Sequence, residues 1–69
     1  MGRVERIYTY VHVRDGRRIE IFQDERRDGP VYLIREGAGQ DSVADHHSVE
    51  LYRGALTARG YRLVDTASS

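Results

Sequence analysis

The chain has 69 residues, no cysteine, and eleven basic residues balanced by eleven acidic ones. That length allows one domain with a thin core, because so small a chain buries only ~60% of its unfolded surface. Lack of cysteine excludes disulfides and thiolate zinc sites as staples, and zero net charge removes any global pull toward nucleic acid or an anionic membrane. Three histidines are left as nitrogen ligands, so self-association becomes the staple to weigh first.

All the basic residues are arginine, with no lysine. The plain reading of this arginine-rich, lysine-free usage is codon bias. The sharper one is selection for planar, bidentate side chains at an interface. No apolar run approaches the ~18 residues of a membrane span, so no membrane partner is expected. Met1 to Arg6 leads into no apolar stretch of the secretory kind, and Arg6 stands where a myristoylation motif needs Ser or Thr. The expected location is cytoplasmic.

Residues 4–13 are rich in β-branched and aromatic side chains and read as a strand. Its alternation puts Ile7, Val11 and Val13 on one face and Tyr8, Tyr10 and His12 on the other. Arg14-Asp15-Gly16-Arg17 is a hairpin signal. A type I turn with a Gly16 bulge sets Val11 opposite Ile19 and gathers Ile7, Val11, Val13, Ile19 and Ile21 on one face. That register is expected, since register follows the buried pattern. The second strand runs from Arg18 to Gln23.

Asp24 to Gly29 is a charged loop, and Pro30 opens a third strand, Val31 to Arg35, apolar on both faces. Gly37-Ala38-Gly39-Gln40 reads as a flexible connection. A helix follows, capped by Ser48 or beginning near Ser42. Val49, Tyr52 and Leu56 form its apolar stripe, with Leu51, Ala55 and Ala58 beside it and Glu50, Arg53, Gly54 and Thr57 on the polar side. Arg59 and then Gly60 end it, and Tyr61 to Val64 form a last strand at an undetermined sheet position.

The expected fold is therefore α+β: an antiparallel β-meander of three to four strands with one amphipathic helix on one face, in the order βββαβ. Residues 1–69 make a single domain, frayed at 1–3 and 65–69. The expected core is Ile7, Val11, Val13, Ile19, Ile21, Leu33, Val49, Leu51, Tyr52, Ala55, Leu56 and Leu63.

One helix leaves one sheet face uncovered. On this reading that face carries Tyr8, Tyr10, His12, Arg18, Phe22 and Tyr32, with Glu20 among them. Aromatic and arginine side chains are enriched at protein interfaces, so the expected function is a small non-enzymatic interaction or regulatory module, self-associating through this face or an edge strand. The alternative is a single-stranded nucleic-acid binder, with Tyr8, Tyr10 and Phe22 stacking on bases and Arg14, Arg17 and Arg18 on phosphates. The plainest reading is a solvated face held by cross-strand pairs.

No catalytic residue, cofactor or metal site is assigned. Asp45-His46-His47 lacks ligand spacing, because neighbours on a helix point ~100° apart. Gly37-Ala38-Gly39 lacks the phosphate-loop pattern, and neither Ser42 nor Ser48 sits in a nucleophile elbow. A weaker alternative is a small enzyme whose site forms at a dimer seam. No family signature emerges; the junction from Leu56 to Val64 is too short to identify anything.

Overall fold

The computed structural model describes residues 3–66. Five strands and one helix follow in the order β1 (Arg3–His12), β2 (Arg18–Glu25), β3 (Val31–Glu36), β4 (Ser42–Ala44), α1 (His46–Ala58) and β5 (Tyr61–Thr66). All neighbouring strands are antiparallel, in the sheet order β4-β3-β2-β1-β5. The α+β class with one helix on one sheet face is as expected, with one more strand than the expected maximum. Helix α1 carries the chain back across the sheet, so β4 and β5 form opposite edges. It is the one helix among the described residues, and it is too short and polar to cross a membrane.

The β1–β2 register differs from the expected one by a single residue. His12 N–H donates to the Arg17 carbonyl at 2.8 Å and Gly16 N–H donates to the His12 carbonyl at 3.0 Å. The turn is thus a longer loop over Val13–Gly16, with Gly16 at φ 73°. Val11 then faces Arg18, Tyr10 faces Ile19 and Tyr8 faces Ile21. A one-residue slip moves a strand's whole side-chain set to the other face. Tyr8 and Tyr10 therefore join Ile19 and Ile21 beneath the helix, and Val11 goes to the uncovered face. Two tyrosines offer more apolar area than two valines, and Arg53 supplies a partner for the Tyr10 hydroxyl, so this register buries more. A β-bulge at Ile7 resets the pairing to Arg6 with Phe22.

The buried apolar core is Tyr10, Ile19, Ile21, Tyr32, Val49 and Leu56, with Ile7, Tyr8, Ile34, Ala44, Tyr52 and Tyr61 packed at its margin. Of the expected core, Val11 and Leu33 are half-buried on the opposite face. Val13, Leu51 and Leu63 are exposed at 65%, 64% and 38%, and Ala55 is exposed too. Leu63 does face the helix side, opposite Tyr10, but at the sheet's outer edge.

Residues 42–44 form the strand β4, paired with 32–34, where the sequence allowed a helix start. The helix N-cap is Asp45, whose Oδ1 accepts the Ser48 N–H at 2.7 Å. Its end matches expectation: Arg59 is the C-cap and Gly60 follows at φ 94°. Arg3, Asp65 and Thr66 lie in strands rather than frayed ends. The remaining expected frayed residues, 1–2 and 67–69, fall outside the described residues.

Candidate functional site

Helix spacing explains what the sheet's covered face became. Val49, Tyr52, Arg53 and Leu56 follow an i, i+3, i+4, i+7 pattern and form one stripe. Arg53 was expected on the polar side, yet it lies in this stripe and its side chain is 25% exposed. Its guanidinium lies over the Tyr8 ring, 3.8 Å from the centroid. Its Nε donates to the Tyr10 hydroxyl at 2.8 Å and Nη1 donates to Glu50 at 3.0 Å. Beside it, the Tyr52 hydroxyl donates to Glu36 Oε2 at 2.6 Å. Burial, and then this bond to the carboxylate, push the Tyr52 phenol well above its ordinary pKa.

The expected interface set therefore divides. Tyr10 and Tyr32 are buried, at 3% and 7% exposure, and Tyr8 is covered by Arg53. His12 belongs to the same side. Its Nδ1 accepts the Arg14 N–H at 3.2 Å, so Nε2 carries the proton and donates to the Arg59 carbonyl at 3.0 Å. Its ring meets Tyr61 edge-on at 4.9 Å. These four residues form no open aromatic face, which corrects the expectation; the cause is the slipped register. Only Arg18 and Phe22 of the six lie on the uncovered face. Arg14 and Arg17 sit in the exposed turn and at its end, where Arg17 pairs with Asp15 at 3.4 Å.

The pairing fixes what the uncovered face does carry. One cross-strand row reads Val43, Leu33, Phe22, Arg6. The next reads Arg35, Glu20, Thr9, Asp65. Beyond these lie Arg18, Val11 and Arg62 at one end and Val31, Asp24 and Val4 at the other. Phe22 and Leu33 are half-buried, whereas Val43 is 66% exposed. The Arg35 guanidinium sits 4.9 Å from the Phe22 ring centroid and also clasps Asp41, with Nε donating at 2.8 Å and Nη2 at 3.2 Å. Arg6 bridges Glu20 at 3.1 Å and Asp65 at 3.4 Å. Those two carboxylates flank Thr9, so Arg6 closes over it. Thr9 is 4% exposed and its hydroxyl has no partner among the described residues. The centre of this face is thus an aromatic and aliphatic strip bordered by arginines whose charges are already matched.

Arg6, Leu33, Arg35, Val43 and Arg53 were not among the expected site residues. Arg53 could have been found from its i+4 spacing to Val49. Leu33 and Arg35 depended on register, which no local signal fixed.

The two sheet edges are poor docking templates. β4 is only three residues long. β5 carries a bulge between its pairings with Thr9 and Tyr10, and Arg62 and Asp65 along its length. Short edges, bulges and edge charges all discourage strand addition. A cleft of about 260 Å³ opens near the N-terminal half of α1, lined by Glu5, Tyr8, Gln23, Tyr32, His46 and Glu50 among others. It is smaller than the usual small-molecule pocket. Among the described residues no group of three or more His, Cys, Asp or Glu is placed to hold a metal. No family model, curated protein or solved structure matches the chain.

Proposed function

We propose that this protein is a small interaction module that self-associates through the sheet face opposite α1, with Phe22, Leu33 and Val43 at the centre of the contact. The observation that carries this reading is the Val43–Leu33–Phe22 row, an apolar strip under no element among the described residues, bordered by Arg35 and Arg6. Aromatic and arginine side chains around an apolar centre are the usual composition of a protein contact. The occupant is a second copy for three reasons. Only six apolar residues are buried among the described residues, so a second copy adds the core that a small domain lacks. The charges at the face centre are matched within the chain, which favours a neutral partner surface over a strongly charged one. The blunted edges direct association to the face rather than to strand addition.

Base stacking on this face gains no comparable support. Tyr10 is buried and Tyr8 lies under Arg53, so Phe22 has no second ring beside it to build a stacking platform.

Sedimentation equilibrium on paired variants tests the proposal. Phe22→Asp places a charge in the centre of the strip and is expected to give a monomer. Leu51→Asp, on the outer side of α1, is expected to leave association intact. Equal association of both variants and the parent chain, with the fold intact by circular dichroism, would refute the face assignment.

A further inference from the structure

The cleft of about 260 Å³ at the start of α1 opens on the helix side of the sheet. Strand pairing sets Glu5 opposite Gln23 and Gln23 opposite Tyr32. Three neighbouring strands thus present a carboxylate, an amide and a phenol in one row, and facing side chains of adjacent strands start only ~5 Å apart. All three line the cleft, with Glu50 and His46 across from them on the first turns of α1. The His46 ring lies 5.9 Å from the Tyr32 ring. Half-buried Ile7 and buried Val49 give the cleft an apolar floor. Tyr32 is only 7% exposed, yet no hydrogen bond within the described residues engages its hydroxyl. A tyrosine with a buried ring ordinarily gives its hydroxyl a partner. Glu5 is likewise in no ion pair among the described residues, although Arg3 borders the adjoining depression.

The charges choose the sign of an occupant. Two carboxylates line the cleft and no arginine does. Glu50 is shared with Arg53 at 3.0 Å, so Glu5 carries the unmatched charge. The positive end of α1 is already answered by Asp45, whose Oδ1 accepts the Ser48 N–H and whose carbonyl accepts the Val49 N–H. An anion therefore finds no counter-charge here, whereas a cation does. A metal ion is not favoured, because no group of three or more His, Cys, Asp or Glu among the described residues is placed to hold one. A guanidinium fork is best matched by two oxygens of one carboxylate. A primary ammonium has three donors pointing apart, which suits single acceptors on three strands.

We infer that this cleft binds a primary ammonium on a short alkyl chain, held by the Glu5 carboxylate, the Gln23 amide oxygen and the Tyr32 hydroxyl, with the alkyl chain against Ile7 and Val49. The sequence has no lysine, so a second copy offers no such side chain and the ammonium comes from another molecule. A free alkylamine and a lysine side chain of a different protein share this chemistry. The site is independent of self-association, since it lies on the helix side of the sheet and the Phe22 strip lies on the other.

The test is NMR titration of the full chain with n-butylammonium chloride at about pH 8, where an alkyl ammonium stays charged, against sodium chloride at matched ionic strength. Saturable shifts of the Ile7 and Val49 methyls and the Gln23 side-chain amide are expected, with the Phe22 and Leu33 signals unmoved. Glu5→Gln should weaken binding roughly tenfold. Tyr32→Phe, which keeps the buried ring, should weaken it about threefold or more. Asp28→Asn, in the loop between β2 and β3, should change nothing. Nα-acetyl-lysine amide distinguishes the two sources: binding as tight as butylammonium assigns a protein lysine, and weaker binding assigns a free amine. The inference is overturned by lack of saturable shifts up to about 100 mM, by equal binding of n-butanol or tetramethylammonium, or by unchanged binding in a folded Glu5→Gln variant.

Discussion

Arg53 Nε donates to the Tyr10 hydroxyl at 2.8 Å while the same guanidinium covers the Tyr8 ring at 3.8 Å. This contact fastens α1 to β1 and satisfies the one polar atom of a tyrosine that is otherwise core. A hydrogen bond to a charged donor contributes about 1.5–3 kcal/mol, and a cation over an aromatic ring about 0.5–2 kcal/mol. Tyr10→Phe and Arg53→Met are each expected to destabilise by roughly 1–2 kcal/mol. Their double-mutant cycle should give a coupling of about 1 kcal/mol. A coupling near zero in urea unfolding would show that the contact contributes nothing.

The same contact explains what the sequence revealed and what it hid. Strand propensities located β1, β2 and β3, and helix periodicity located α1 with its Gly60 stop. The face assignment failed because β1 has apolar character on both sides. Ile7, Val11 and Val13 alternate with Tyr8 and Tyr10, and only the turn geometry at Gly16 chose between them. β4 escaped notice because three residues carry no periodic signal. Arg53 escaped because its charge suggested solvent, although its spacing placed it in the buried stripe. Size and composition raise self-association only as an expectation, and the face on which we propose it is legible only in three dimensions.

Substitutions in the core should be severe. Ile21 is fully buried between β1 and β3. Ile21→Val should cost about 0.5–1.5 kcal/mol and Ile21→Ala about 2–5 kcal/mol. For so small a domain the latter approaches its whole stability. Tyr10→Asp is likewise expected to unfold the chain rather than spare its fold and block a partner. Denaturant unfolding monitored by circular dichroism separates these outcomes; a folded Tyr10→Asp variant of parental stability would contradict the buried placement.

Gly60 combines a left-handed backbone with a close neighbour. Its φ is 94°, and an added Cβ would lie 3.3 Å from His12 Nε2. Gly60→Ala should therefore cost more than ~1 kcal/mol and weaken the bond from His12 to the Arg59 carbonyl. Gly54→Ala, on the open side of α1 with nothing near its Cβ, should stabilise by about 0.5–1 kcal/mol. Reversal of that ranking in thermal melts would argue against the helix end described here.

Stability should fall at both extremes of pH. Asp45 is held below its ordinary pKa, mainly by the Ser48 N–H, and Asp41 mainly by the Arg35 side chain. A carboxylate depressed on folding stabilises above its unfolded pKa and loses that contribution as pH falls through the folded one. Melting temperature should accordingly drop below about pH 4, and Asp45→Ala should lose more than Asp45→Asn, which retains a capping oxygen. Tyr52 works in the opposite direction. Its raised pKa favours the protonated folded state, a contribution complete below the unfolded value of about 10 and lost as pH rises toward the folded one. Tyr52→Phe should blunt the alkaline loss. An unchanged alkaline slope in that variant would contradict the Tyr52–Glu36 bond.

We propose that two copies meet on the sheet face opposite α1. The most direct measurement is a dilution series followed by methyl and aromatic NMR. With this face as the contact, Leu33 and Val43 methyl signals and the Phe22 ring should shift together with concentration, while those of Val49 and Leu56 stay fixed. Shifts confined to Leu63 and Val64 on the β5 edge or to Leu51 on the helix, or none up to about 1 mM, would contradict it.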